Sequence, residues 1–475
     1  MAFQLHNTLT RGTEPFVPLD SAGRRVGLYC CGPTVYDFGH IGNFRTFVFA
    51  DLVRRFLEYR GYAVCHVMNI TDVEDKIIAR VRQTGMSLHD YTRQYEEAFL
   101  ADSRTLNLLP PHHRPRATEF IPDILALIER LVARGLAYQA GDRSVYFSIE
   151  KYRAAGRRYG TLVRLNFDEM RVGERVKNDE YTKEALADFA LWKARVPEDG
   201  DVFWPSPWGE GRPGWHIECS AMSMKLLGPS FDLHLGGEDL IFPHHEDEIA
   251  QSEGAGLQIP GQPFVKYWLH GAHLQVEGRK MAKSLGNFFT LRDLLGRGFT
   301  GREIRYLLLT AHYRETFNFT LEGLAGARAA LGRIDECLAK LREHAGPNPP
   351  SAAPEPGLVE RFGAALDDDL NISAAWAAVF DWVRDQNRLL AQAALNPAAA
   401  AAALAAWDRI DTVLGVGAAA AEADAPAGML ALLEARQAAR KDRDFARADA
   451  LRQELLTHGW IVEDTPKGSR LKRAR

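Results

Sequence analysis

Hydrophobic and polar positions set two rhythms near the start of the chain. VGLYC (26–30) is apolar enough for a buried strand, and Gly32-Pro33 breaks it. From Phe44 the spacing becomes helical, through Phe47, Val48, Leu52, Val53, Phe56 and Leu57, with Gly61 as its stop. AVCHVMNIT (63–71) reads as a second strand. A strand, a crossover helix and a strand of these lengths predict a right-handed βαβ unit in a mostly parallel, Rossmann-like sheet. Residues 115–200 read as an insertion, helical from Phe120 to Arg134 and then built of short strands such as SVYFSI.

Farther along, EHAGPNPPSAAPEPG (343–357) carries five prolines in fifteen residues, the composition of a linker and a domain boundary. Beyond it the pattern is alanine-rich and helical. Asn396-Pro397 predicts an N-cap and first position, and Leu404, Trp407, Ile410, Val413 and Leu414 supply an apolar face behind six consecutive alanines. GAAAAEADAPAG (417–428) reads as a second linker. Residues 429–475 then predict helices over Met429–Lys441 and about Asp444–His458, a short strand at WIVED, and a basic tail. The expected fold class is α/β: a Rossmann-like parallel-sheet domain with an inserted subdomain, an all-α helical bundle, and a small C-terminal mixed α/β module. The expected divisions are 1–114 with 201–275, the insertion 115–200, then 276–342, 358–416 and 429–475.

Composition narrows the class. At 475 residues the chain exceeds what one hydrophobic core usually supports, and 46% hydrophobic residues exclude disorder over most of it. No apolar run reaches the roughly 18 residues that span a bilayer, and MAFQLHNTLTRGTEPF lacks the apolar core of a signal peptide. Cytoplasmic location and no membrane partner are therefore expected. A net charge of -4 argues against wholesale coating of nucleic acid but leaves room for a local basic patch. Five scattered cysteines make no disulfide framework, so a thiol of interest is a ligand rather than a staple.

The glycine run 209–214 matches GxGxxG but follows a Pro-rich stretch and contains Pro213, which excludes a dinucleotide fingerprint; no GxxxxGK[ST] exists. CGPTVYDFGHIGN (31–43) does sit at a strand-to-helix turn, where exposed N–H groups and the helix dipole favour a phosphate. His40 there can hydrogen-bond phosphate oxygens, and Gly42 permits close approach of an adenine or ribose. An HxG tripeptide alone equally describes a surface histidine at a helix start. GRKMAKSLGNFFTL (278–291) adds Lys280 and Lys283 three apart on a glycine-flanked loop, suited to the charge that builds on a leaving pyrophosphate. HIGN followed some 240 residues later by KMAKS resembles the HIGH and KMSKS signatures of class I aminoacyl-tRNA synthetases, with departures at Asn43 and Ala282.

HHEDE (244–248) places His244 and Glu248 four apart, on one face if helical, and is not the HExxH of zinc proteases. Cys31 and Cys219 would complete a tetrahedral set of two thiolates, an imidazole and a carboxylate. Spacing alone leaves a metal site and an ordinary packed core both open. CGPTVYDFGHIGNFRTFVFAD, NITDVEDKII, PGWHIECSAM, GEDLIFPHHEDEIAQSE and KMAKSLGNFFTLRDLL are each similar to segments of cysteinyl-tRNA synthetases, as are ALDDDLN (365–371) and the C-terminal DFARADALRQEL.

That resemblance implies an AMP-forming ligase that joins L-cysteine to tRNA(Cys) through cysteinyl-adenylate. It makes the first domain catalytic, residues 276–342 the KMAKS loop and stem-contact region, the bundle tRNA-binding, and 429–475 an anticodon-binding module. It implies one Zn2+ on Cys31, Cys219, His244 and Glu248, and Mg2+ with ATP. His40, Gly42, Asn43, Lys280 and Lys283 fall at ATP positions, with His40, Lys280 and Lys283 catalytic. Thr71, Trp215, His234 and Asp239 are the expected substrate contacts, with His216 beside them; Trp215 taken alone is equally a core tryptophan. Cys30 reads as core, and Asp367-Asp368-Asp369 as a helix start suited to the dipole. Leu471 stands where many family members have tryptophan. A monomer is expected. Two rivals are a cysteine–amino-sugar ligase of mycothiol synthesis, which would not need the C-terminal module, and a catalytically inactive zinc- and RNA-binding paralogue.

A zinc suits the task. A pocket that merely encloses the side chain separates near-isosteres by about 10²-fold. A borderline-soft dication instead favours a thiolate strongly over a hydroxyl.

Overall fold

The computed structural model describes residues 2–163, 188–281, 285–417, 427–442, 444–458, 460–465 and 468–473. Ala282 and Lys283 lie outside the described residues, as does part of the insertion. The chain divides into two compact units, Met1–Val416 and Gly417–Arg475.

In the first unit, the strands Arg25–Cys30, Ala63–Met68, Phe231–Gly237 and Val265–Gly271 form one sheet. Its order is Val265–Gly271, Phe231–Gly237, Arg25–Cys30, Ala63–Met68, and every neighbour pair is parallel. These strands are buried almost throughout, which is why VGLYC reads as a continuous apolar run. The crossover helix spans Ile41–Tyr59, three residues longer at its start than the apolar spacing from Phe44 shows, because His40 supplies the cap.

The insertion packs into a second core, around Ile124, Leu131, Phe147 and Trp192, which Ile217 and Ala250 from the following part of the chain also join. Its antiparallel sheet runs Ala137–Gln139, Val145–Phe147, Phe189–Ala194 and Gly211–Pro213. The glycine run rejected as a dinucleotide loop is thus the last strand of this sheet.

Helices Leu321–Ala345, Pro356–Asp367, Ile372–Ala391 and Pro397–Leu414 form the bundle. Asn396 caps the alanine-rich helix by accepting from the Ala399 N–H, as its sequence predicts. The Pro-rich stretch is a surface connection inside a compact unit, since one continuous core joins Val26 and Leu28 of the sheet to Leu338, Trp382 and Trp407 of the bundle. The acidic run is not a helix start. Asp367 ends Pro356–Asp367, and Asp369 has a positive φ of 51° in the turn that follows. Two of these carboxylates have partners from elsewhere in the fold: Arg60 pairs with Asp367, and Arg314 and the Tyr313 hydroxyl donate to Asp369.

In the second unit, helices Ala427–Lys441 and Phe445–Thr457 precede a hairpin of Trp460–Thr465 with Gly468–Arg473. The basic tail therefore supplies a strand. Leu471 packs against the small core of Leu433, Leu455, Trp460 and Val462, so that position faces inward and is no stacking platform.

Candidate active site

Chain order in the sheet creates the site. From Arg25–Cys30 the chain passes to Ala63–Met68 on one side, while Phe231–Gly237 lies on the other. The crevice beyond the carboxyl ends of strands at such a reversal is where open α/β sheets bind ligands. A cleft of about 380 Å³ opens there, lined by residues from Cys31 to Asn43 after one strand and by Gly237, Asp239 and Leu240 after the other. Gly32 is needed at its base: a Cβ there would stand 1.7 Å from the Asn69 carbonyl oxygen.

His40 caps the crossover helix reciprocally with Asn43. The Asn43 N–H donates to His40 Nδ1 at 3.2 Å, and the His40 N–H donates to Asn43 Oδ1 at 3.1 Å. With Nδ1 accepting, the neutral ring carries its hydrogen on Nε2. The departure from HIGH at Asn43 is therefore a working cap, and both residues line the cleft. A side chain at Gly42 would press on the His40 ring at 3.0 Å and on Met281 at 3.4 Å. The segment after KMAKS is laced to this turn: the Ile41 N–H donates to the Phe289 carbonyl, and Phe288 sits edge-on to His40 at 5.3 Å. Lys280 is exposed on the short strand Arg279–Lys280, and its carbonyl accepts from Asn287.

Beneath the cleft four donors converge. Cys31 follows the first strand, Cys219 lies on helix Trp215–Leu227, and His244 and Glu248 flank the start of helix Glu246–Ala255. One ligand atom from each lies within 4.8 Å of all the others. His244 Nε2 is 3.1 Å from Glu248 Oε1, and Cys31 Sγ is 3.7 Å from His244 Nε2. Buried thiols normally keep their protons, and burial pushes Cys31 up. Cys219 goes the other way, to about 6, because Cys31 donates to it and His244 lies beside it. Burial opposes charge on His244, yet hydrogen bonds with Cys219 and Glu248 hold it up at about 10. Burial also opposes charge on Glu248, but the charges of His234 and His244 and their hydrogen bonds bring it down to about 2. Cys30 is core, its thiol pushed up to about 12 by burial.

The remaining expected contacts divide. Trp215 and Asp239 line the cleft, and Trp215 lies 4.4 Å from the His244 ring. Thr71 is buried under Pro33 and Val35, with its hydroxyl donating to Glu218 at 3.3 Å. His234 is fully buried; it stacks on Trp268 and hydrogen-bonds Glu248 at 3.0 Å, so it braces a donor rather than lining the cleft. His216 likewise braces His244, at 2.8 Å between their Nδ1 atoms. Sequence reasoning missed His245 and His270. Cys31 Sγ is 3.5 Å from His245 Nε2, and His245 Nδ1 is 2.7 Å from His270 Nε2. With Cys31, His234 and Glu248, His245 makes a second grouping of ligand type. The doubled histidine of HHEDE was its one sequence signal.

The chain matches the tRNA synthetases class I (C) catalytic domain over residues 17–329, the DALR domain over 361–418 and the cysteinyl-tRNA ligase anticodon binding domain over 422–470. It is 47% identical to a cysteine–tRNA ligase of Chlamydia muridarum over 482 residues, covering 99% of both chains. The chain belongs to the cysteinyl-tRNA synthetase family. A cysteine–tRNA ligase of Protochlamydia amoebophila is 42% identical over 99% of this chain and 98% of its own. A Mycobacterium tuberculosis methionyl-tRNA synthetase solved with methionyl-adenylate shares the fold, with a TM-score of 0.60 at 16% identity over 82% of this chain and 92% of that one. As a member of the family the chain is a class I aminoacyl-tRNA ligase whose substrates are tRNA, ATP and an amino acid. The full-length match and the anticodon domain do not favour the amino-sugar ligase. No helix among the described residues is long and apolar enough to cross a membrane.

Proposed function

We propose that this enzyme activates L-cysteine with ATP as cysteinyl-adenylate and passes it to tRNA(Cys), selecting cysteine through a zinc–thiolate contact. The observation that carries the reading is the convergence of Cys31, Cys219, His244 and Glu248 at the base of the cleft whose rim holds the His40 turn. The donor set suits zinc: two sulfurs, one imidazole and one carboxylate, buried and braced by His234 and His216. When bound there, zinc supplies an affinity for thiolate that a serine hydroxyl does not match.

The chain's own residues do the rest. The first N–H groups of helix Ile41–Tyr59 and the Nε2–H of His40 meet phosphate oxygens, and Gly42 keeps the turn open for the nucleotide. Lys280 and Lys283 neutralise the leaving pyrophosphate, with Mg2+ accompanying ATP. Trp215 and Asp239 border the amino acid, and Thr71 and His234 hold that wall from behind. No covalent nucleophile is required, because positioning and charge suffice. Residues 429–475 read the anticodon, the bundle 358–416 holds the tRNA body, and the chain works as a cytoplasmic monomer.

Cysteine-dependent ATP–pyrophosphate exchange, measured beside zinc content, tests this reading. One zinc per chain, exchange with cysteine and none with serine, followed by charging of tRNA(Cys), is the expected outcome. A metal-free chain that still selects cysteine overturns it, and a chain without exchange is the inactive paralogue.

A further inference from the structure

Alternation along the strand Arg25–Cys30 sorts the residues at its end onto two faces. Leu28 and Cys30 join the core shared with the bundle, whereas Tyr29 and Cys31 join the cluster that holds Cys219, Met222 and Trp268. Tyr29 pairs in register with His234 on the neighbouring parallel strand, and their rings lie 5.0 Å apart. The two side chains therefore leave the sheet together, on the face where the four donors converge, and both are fully buried. Three of those donors have an outer partner. His234 reaches Glu248 at 3.0 Å, His216 reaches His244 at 2.8 Å, and His245 Nε2 stands 3.5 Å from the Cys31 sulfur. Cys219 is the fourth. The groups facing the Tyr29 hydroxyl are Cys219, Cys31 and Glu248, with Cys219 foremost, yet that hydroxyl makes no hydrogen bond of normal geometry.

Charge says when this donor is needed. A buried hydroxyl without an acceptor is destabilising, and an ionised sulfur is a stronger acceptor than a thiol. Two thiolates and a carboxylate outweigh the charge of a zinc ion, and the thiolate of a bound cysteine would add one more negative charge to a buried place. Each donor aimed at a metal-held sulfur lowers that cost. We infer that the Tyr29 hydroxyl donates to the Cys219 sulfur once that sulfur is a thiolate on the metal, and that this bond sets how readily the site accepts the thiolate of cysteine. Tyr29 does not line the cleft; it is a positioning residue that acts through Cys219. Serine keeps its proton and gains nothing from the bond, so the hydroxyl adds to selection. This rests on the functional reading above and deepens it, and it gives Cys219 the outer partner that the other three donors already have.

The test uses the full-length, zinc-loaded enzyme. Tyr29→Phe removes the hydroxyl and keeps the ring with its contacts to His234 and Phe231. Zinc content should stay at one per chain. In pyrophosphate exchange the KM for cysteine should rise about tenfold, the lower end of the roughly 10–100-fold that loss of an outer partner costs, while the KM for ATP stays within about twofold. A second readout needs no activity. In the cobalt-substituted chain the sulfur-to-metal charge-transfer absorption should move to longer wavelength in Tyr29→Phe, because a sulfur relieved of a hydrogen bond gives up its electrons more easily. An unchanged KM for cysteine, or an unchanged cobalt absorption, overturns the assignment and leaves Tyr29 as packing. So does a KM for ATP raised by the same factor, which marks a general disturbance of the cleft. Loss of the zinc also overturns it, by giving the hydroxyl to metal retention instead. A wild-type chain without zinc or without cysteine-dependent exchange is a separate outcome: it overturns the functional reading, while the cobalt absorption still reports whether the hydroxyl meets a sulfur.

Discussion

Two buried ionic clusters in the first unit answer their charges in opposite ways. Around Asp51 every charge meets its complement: Arg55 donates at 2.7 Å, Arg305 at 2.6 Å and the Leu109 N–H at 2.8 Å. Arg305, itself fully buried, spends its other donors on the carbonyls of Leu106 and Leu414. That cluster is closed; it ties the crossover helix to the end of the bundle and leaves nothing for a ligand. Around Cys31, Cys219, His244 and Glu248, by contrast, lone pairs of four side chains aim at a common space. Only a proton or a cation reconciles converging acceptors. The lesson is that burial of charge does not mark a functional site. What sets the second cluster apart is the convergence of four ligand-type side chains.

Substitutions can break or sharpen that contrast. The largest effect should come from Asp51→Asn, which strips the charge that compensates two buried arginines. We expect about 3–5 kcal/mol of lost stability in denaturant unfolding, with exchange per folded molecule unchanged. The same group sets an acid limit. Burial raises its cost of ionising, but Arg305 and Arg55 overcome this and hold Asp51 below its ordinary value of 3.8. Its contribution is therefore complete above about pH 4 and fades as pH falls through the depressed folded value; Asp51→Asn should flatten stability against pH below about 4. A variant as stable as wild type would show that this cluster is not closed by charge.

Next in size, Cys219→Ser should remove bound metal and cut cysteine-dependent exchange by more than the roughly 10–100-fold that loss of an outer partner costs, while unfolding stays cooperative. Retained metal and exchange would remove Cys219 from the donor set. His234→Phe keeps the stack on Trp268 but withdraws the brace on Glu248, and metal affinity measured by chelator competition should fall about 10–100-fold. Unchanged affinity would make His234 mere packing. The smallest change is Asn43→Ala, which breaks half of the reciprocal cap. It should cost about 1 kcal/mol of stability and raise the KM for ATP in exchange. No shift in either would show that the cap does not position His40.

How far these regions were legible in sequence follows from how local they are. The His40 turn is contiguous: strand, break and helix sit within residues 25–59, and they formed near where the spacing put them, the helix starting three residues earlier on its His40 cap. The asparagine-capped alanine helix was legible for the same reason. The donor set was legible only through resemblance, because Cys31, Cys219 and His244 lie on separate elements and nothing local distinguishes a ligand cysteine from a packed one. The bracing histidines went unread in their roles: His245 points at Cys31 only because Phe231–Gly237 and Val265–Gly271 pair in parallel beneath it. The acidic run misled because composition alone does not reveal that Arg60 and Arg314 wait across the fold.

By itself, then, the sequence determined the local elements, the place of the strand-to-helix turn and membership of a family, since backbone hydrogen bonding and apolar periodicity act between near neighbours. Which histidine faces a sulfur and which only supports a carboxylate, and which buried charges cancel and which converge, were decided by tertiary structure alone. Those properties depend on distances between residues as far apart in sequence as Cys31 and Glu248, and only the packing of separate elements against one another sets such distances.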